Sequence, residues 1–303
     1  MKMKYNEYGV DMMRQMVNKT GLLAKIINVV LRVNYKLSNK DILSLQLKKQ
    51  NEKDYFPKNG FVLTTKSNLP VFSLLNTENQ NHIIFLHGGA YVKRGKKIHF
   101  SFIKLLNKKL SCNIHYIDYE VAPVSKFKET TQETTNAIVK IMNEYKKGLF
   151  YICGDSAGGG LALAVSKMLL DIENKQFLAH FLLSPWLDLS LENKEISEID
   201  PYDTILKHDS LLIASKEYAD EDLVNPKCSP IYDDMSNLKN IVIFTGTNDI
   251  LYPDMKLFES RFSKNTSLHI YKNLPHDAAL FPSTKIQTDL LNKMNEIIYY
   301  LGE

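Results

Sequence analysis

The chain has 303 residues, with 38 Lys+Arg against 34 Asp+Glu and a formal charge of +4. Its 44% hydrophobic and 24% charged residues are those of a folded globular protein, not of a disordered tail or a coiled coil. Only four residues are arginine (Arg14, Arg32, Arg94, Arg261), so bidentate readers of phosphate and base are scarce and no nucleic-acid partner is expected.

Residues 1–55 read as mainly helical. Met1-Lys2-Met3-Lys4 opens like a signal peptide, but Glu7, Asp11 and Arg14 stand where its apolar core should be. The apolar stretch 21–35 is broken by Lys25 and Arg32. No segment approaches the ~20 apolar residues that span a bilayer, so no stable membrane insertion is expected. Cys112, Cys153 and Cys228 lie far apart and form no CxxC pair, zinc pattern or even disulfide framework. A reducing, cytoplasmic compartment suits them.

From residue 60 onward, strand-like and helix-like segments alternate. Strands are predicted at 61–65, 71–75, 83–87, 114–119, 149–153, 177–183, 241–245 and 268–272. Several are short apolar runs, the mark of strands covered on both faces. Helices are predicted over 98–110, 128–146, 157–171, 253–262 and 285–301. The first two strands read as a hairpin and the rest as β-α-β units. This predicts an α/β fold with a mostly parallel sheet of about eight strands and helices on both faces. The segment from 190 to about 228 breaks the alternation, and an insertion of that length is usually functional, often a lid.

At residues 149–160 the chain reads LFYICGDSAGGG. A strand runs into Gly154-Asp155-Ser156-Ala157-Gly158 and then into a helix, which is G-x-S-x-G in its strand–turn–helix context. So tight a turn forces Ser156 into a strained backbone and projects its hydroxyl above the sheet, at the positive end of the next helix. A glycine-rich turn without chemistry is the bland alternative. The Lys and spacing of a phosphate-binding Walker A loop are missing.

At 83–91 the chain reads IIFLHGGAY. Acyl transfer creates an oxyanion that needs preorganised N–H donors, and glycines let a loop turn its amides inward. Gly88, Gly89 and Ala90 are the candidates, joined by the amide of Ala157 after the nucleophile. Six of the 13 glycines fall in these two loops. The His87 side chain is read as a structural pin for its loop.

A serine needs a base, and the base a carboxylate to orient it. If the elbow belongs to an α/β-hydrolase, the order is Ser, then Asp or Glu, then His. Four histidines follow Ser156. His180 and His269 fall in or near strands, and His208 falls in the insertion. His276 lies in the turn-rich Asn273-Leu274-Pro275-His276-Asp277 and is the expected base. Asp249 follows the strand 241–245 at its C-terminal edge, where sites of open α/β sheets collect, and is the expected acid. Asp254, at a helix start, is read as a helix stabiliser. Asp277 is the weaker competitor.

Together these residues resemble the hormone-sensitive-lipase-like esterases of the α/β-hydrolase superfamily. The matching motifs are HGGAY at 87–91, DYEVAP at 118–123, GDSAGG at 154–159, SPWLD at 184–188, GTNDIL at 246–251 and LPHDA at 274–278, with Ser229-Pro230 before the seventh strand. The resemblance covers about residues 60–300. It implies an α/β-hydrolase catalytic domain over 56–303, with a helical cap built from 1–55 and the insertion at about 190–228. It further implies a serine carboxylesterase acting on small esters of short acyl chains, without metal or cofactor, and it is compatible with a homodimer. Three departures stand out: Ala90 replaces a third glycine, Glu120 occupies a place where arginine is common, and Val124 lacks the usual proline-rich continuation.

Other features have plainer readings. The run Lys93-Arg94-Gly95-Lys96-Lys97 reads as a solvated loop rather than an anion trap. The stretch 22–33 reads as a cap helix rather than a membrane-surface one. Cys153 reads as a small buried hydrophobe. Trp186 lines a pocket or fills the core. Two other functions fit the same motifs. One is an amidase or arylformamidase. The other is a catalytically silent ligand-binding protein, against which the intact Ser156, Asp249 and His276 argue.

Overall fold

The computed structural model describes residues 60–76 and 79–302. The expected N-terminal cap region, 1–55, lies outside the described residues. The strands are β1 (Val62–Lys66), β2 (Leu69–Leu74), β3 (Asn81–Leu86), β4 (Asn113–Ile117), β5 (Leu149–Asp155), β6 (His180–Leu183), β7 (Ile241–Asn248) and β8 (Thr266–Pro275). The helices are α1 (Lys97–Leu110), α2 (Phe127–Glu144), α3 (Ser156–Glu173), α4 (Ile196–Ile199), α5 (His208–Ala219), α6 (Tyr252–Arg261) and α7 (Lys285–Gly302). One eight-stranded sheet has the order β1-β2-β4-β3-β5-β6-β7-β8. Strand β2 pairs antiparallel with β1 and β4, and every later pairing is parallel.

The period-2 pleat sorts each apolar run onto two faces. Ile84, Leu86, Ile152, Leu182, Ile241 and Ile243 pack with α2, α3 and α6, through residues such as Ile138, Leu161 and Phe258. Ile83, Phe85, Tyr151, Cys153, Phe181 and Phe244 pack with α1 and α7, through Phe102, Leu106, Leu290 and Met294. Covered on both sides, these strands need no polar alternation, and so they read as continuous apolar runs. Helix α2 carries the complementary pattern: Phe127, Thr130, Thr131, Thr134, Thr135, Ile138, Ile141 and Met142 recur at helical spacing and are buried. Strand β6 starts at His180, three residues later than its apolar run suggests. The preceding residues still bond to β5, since Leu178 N–H donates to Phe150 O at 2.8 Å and Ile152 N–H to Ala179 O at 3.1 Å. Among the described residues, no helix is long and apolar enough to cross a membrane.

One buried polar chain lies away from the C-terminal edge of the parallel strands. Ser73 Oγ is 2.9 Å from His115 Nδ1, and His115 Nε2 is 2.9 Å from His82 Nδ1. A nitrogen-to-nitrogen hydrogen bond needs one bare nitrogen, so the pair must not be fully protonated. Burial pushes His82 down to about 4. Burial pushes His115 down to about 3, helped by His82 and Lys66. The unfolded chain therefore binds protons that the folded chain refuses between pH ~6.5 and these values. Their stabilising effect is complete above pH ~6.5 and is lost as pH falls, by up to about 1.4 kcal/mol per pH unit for each proton. The urea midpoint is expected to drop steeply between pH 6.5 and 4, and less steeply in His115→Gln. Equal slopes would mean that the pair does not set acid stability.

Candidate active site

Strand β5 ends at Asp155, and Ser156 begins α3 with φ 51°, a left-handed backbone for a non-glycine residue. That geometry costs roughly 1–2 kcal/mol and survives only because the surroundings impose it. The imposing contacts are visible at two glycines. A Cβ on Gly158 would lie 2.2 Å from Leu86 O and 2.5 Å from His87 O, so the first turn of α3 presses on the end of β3. A Cβ on Gly88 would lie 3.0 Å from the Ser156 Cβ, so the loop after β3 runs directly beside the serine. The positive end of an 18-residue helix faces the same point.

That loop is held from within. His87 is fully buried, and its Nδ1–H donates to Gly88 O at 2.7 Å. Its ring stacks on Tyr119 with centroids 4.2 Å apart. Tyr119 O–H in turn donates to His87 O at 2.5 Å. Burial pushes the imidazole down to about 3, so it stays neutral and acts as a pin. Val92 and Lys93 donate their N–H groups to Gly89 O at 3.1 and 2.9 Å. Ala90 and Tyr91 take φ of 54° and 60°. The alanine thus adopts the left-handed backbone that a glycine would hold without strain.

The acid and base candidates meet at the C-terminal ends of β7 and β8. Asp249 Oδ2 lies 3.0 Å from His276 Nδ1, and both side chains are buried. Leu251 N–H donates to Asp249 Oδ1 at 3.0 Å, and Thr245 O–H to Oδ2 at 3.3 Å. Asp254 sits in the first turn of α6 and instead accepts a bond from Asn193 Nδ2 at 2.8 Å. Burial pushes that carboxyl up to about 7. His276 Nε2 lies 3.1 Å from Asp277 Oδ2. No hydrogen bond joins Ser156 Oγ to His276 among the described residues; the structure brings the acid and base together and sets the serine at the start of α3. Burial alone would lower the imidazole, but Asp277 and Asp249 outweigh it and hold the group well above its ordinary value.

A model of the alpha/beta hydrolase fold family matches residues 83–280. The chain belongs to that family. An esterase of Acinetobacter venetianus is 26% identical over 213 residues, covering 67% of this chain and 70% of that protein. An acetyl-hydrolase of Streptomyces hygroscopicus is 26% identical over 179 residues, covering 58% of this chain and 60% of that protein. A hormone-sensitive lipase structure from a metagenome library superimposes with a TM-score of 0.77 at 22% identity, over 92% of this chain and 98% of that one. That likeness is one of fold.

Within this α/β-hydrolase fold, several neighbours of the site carry no motif. His99 Nε2, on α1, lies 3.1 Å from Asp155 Oδ2, directly behind the serine. His99 Nδ1 accepts the Lys96 N–H at 2.7 Å, which leaves the proton on Nε2, facing the carboxylate. Asp203, in the 190–228 insertion, accepts the N–H groups of Ile205 and Leu206 at 2.8 Å each and that of Ile250 at 3.0 Å. It thereby ties the insertion to the acid's own loop. Burial, with the nearby Asp249 charge, pushes Asp203 up to about 7. The insertion carries α4 and α5, and Tyr218 of α5 stacks on Tyr91 at 3.8 Å with 2° between ring planes.

Arg94 corrects the expectation of a merely solvated basic run. Its Nη1 donates to Asp118 Oδ2 at 2.9 Å and its Nη2 to Glu120 Oε2 at 2.6 Å. Glu120, which stands where the resembled family often has arginine, finds its counter-charge from another loop. Trp186 is fully buried and donates from Nε1 to Asp188 O at 2.8 Å, so it fills the core. Among the described residues, no group of three or more His, Cys, Asp or Glu is placed to hold a metal ion.

Proposed function

We propose that the chain is a serine carboxylesterase acting on small esters of short acyl chains. The observation that carries this reading is the buried Asp249–His276 pair, 3.0 Å apart, beside an elbow that holds Ser156 at φ 51°. The names of the relatives, an esterase and an acetyl-hydrolase, support it. In this reading Ser156 Oγ attacks the acyl carbon while His276 Nε2 takes its proton. Asp249 fixes the ring through Nδ1. The amides of Gly88, Gly89, Ala90 and Ala157 hold the developing oxyanion. The imidazolium then protonates the departing alcohol. Water, deprotonated by His276, releases the acid and restores the serine. In this reading the insertion caps the acyl site, and three buried free cysteines suit a reducing, cytoplasmic setting.

The test is covalent. A fluorophosphonate should add to Ser156, as mapped by peptide mass spectrometry, and block hydrolysis of p-nitrophenyl acetate and butyrate. A folded protein that hydrolyses these esters while Ser156 stays unlabelled would overturn the reading. The same assay on matched acyl amides separates an esterase from an amidase.

A further inference from the structure

His276 has a carboxylate on each side. Asp249 meets Nδ1 at 3.0 Å, as a triad requires, and Asp277 meets Nε2 at 3.1 Å. Nε2 is the nitrogen that must be bare to accept a serine proton. Two carboxylate acceptors, one per nitrogen, favour a ring bearing both protons, and an imidazolium is not a base.

The placement of Asp277 is specific. Its backbone is left-handed, with φ 53°, and its N–H donates to Ser184 Oγ at 3.1 Å. Its Oδ1 is buried and has no hydrogen-bond partner, so the side chain spends its contact on the imidazole alone. The side chain is 17% exposed against 3% for His276, so it is the more solvent-accessible of the two. Burial raises Asp277 to about 6 while His276 pulls it down, which marks the two as partners over one proton. The other charges around this ring are Asp249 from the β7–α6 loop, Asp203 from the insertion and Asp155 from the elbow. His99, Lys96 and His87 lie close to Asp155 in turn.

We propose that Asp277 is a positioning residue that holds the Nε2–H of His276 in the resting enzyme and so sets the pH above which His276 becomes a base. The inference rests on the esterase reading above. The proton balance is simple. An imidazolium facing a carboxylate loses one proton to solvent past Asp277, leaving a neutral ring with Nε2 free for Ser156. A second carboxylate stabilises the charged ring, so it moves the acid limb of the rate profile to higher pH, and removing it moves that limb down.

Asp277→Asn is the variant of choice, because asparagine also tolerates the left-handed backbone. Its acid limb of kcat/KM for p-nitrophenyl acetate should lie at least about one pH unit below the wild type's, with rates at alkaline pH within about threefold. A limb that superimposes on the wild type's would overturn the proposal. So would a uniform loss of rate at every pH, the mark of a purely structural role. Should Asp277→Asn fail to fold, 15N-histidine NMR of the Ser156→Ala variant gives the same answer without turnover. The His276 ring should stay doubly protonated well above the ordinary imidazole range, and titration near the ordinary value would overturn the proposal. Full hydrolysis by Ser156→Ala would instead sink the esterase reading, and the NMR result would still decide the role of Asp277.

Discussion

Ser156→Ala is expected to lower kcat/KM for p-nitrophenyl butyrate by on the order of 10⁴-fold or more while leaving a folded protein. The hydroxyl is the only part of the side chain removed, and no packed core atom leaves with it. What survives is the slow background that oriented amides and binding alone can give. Stability answers to a different part of the residue. The strain at Ser156 belongs to the backbone, at φ 51°, and alanine inherits it. Glycine does not, so Ser156→Gly should be equally inactive yet up to about 1 kcal/mol more stable than Ser156→Ala. A urea titration of both variants checks this. Retained turnover in either would remove Ser156 from the chemistry. Equal stability would mean that the elbow is relaxed.

Gly158→Ala is expected to damage both fold and rate. The added methyl would meet Leu86 O at 2.2 Å and His87 O at 2.5 Å. Both are backbone atoms, so no rotamer change can give way, and either β3 or the first turn of α3 must move. A cost of roughly 2–4 kcal/mol in the urea midpoint is expected. The displaced segment leads straight into Gly88 and Gly89. Amides shifted by even a few tenths of an ångström would lower kcat by on the order of 10²-fold. Gly302→Ala is the control, since its new methyl would meet nothing nearer than 3.8 Å. It should change stability by less than about 0.5 kcal/mol. If Gly158→Ala matches that control, the close packing of elbow on strand carries no weight.

The layered architecture was readable because each signal was local. Runs such as Ile83–Leu86 and Phe181–Leu183 are apolar throughout because both faces are covered, and their lengths exclude helices. The elbow was readable because the five-residue motif Gly154–Gly158 sits where a strand passes directly into a helix. The chain order of acid and base pointed to Asp249 and His276, whose contact is long-range in sequence. What stayed hidden is what depends on two distant segments meeting without a motif. Asp203 lies in an irregular insertion and matters through a carboxylate accepting the Ile250 amide. His99 looks like any residue of an amphipathic helix until it reaches Asp155. Arg94 sits in a basic run, and only the folded chain brings it between Asp118 and Glu120. From the sequence Asp277 reads only as a rival acid, while its position against Nε2 depends on a backbone angle that residue identity alone does not fix.

The face-to-face rings of Tyr91 and Tyr218 have a practical implication for anyone redesigning selectivity. Tyr91 is the immediate chain neighbour of Ala90, so a shove on α5 is transmitted through one rigid aromatic contact to the loop that carries the proposed oxyanion amides. Under the proposed esterase reading, enlarging the site by altering α5 would therefore detune turnover along with substrate choice. Changes that keep the tyrosine pair intact are the ones that can separate the two.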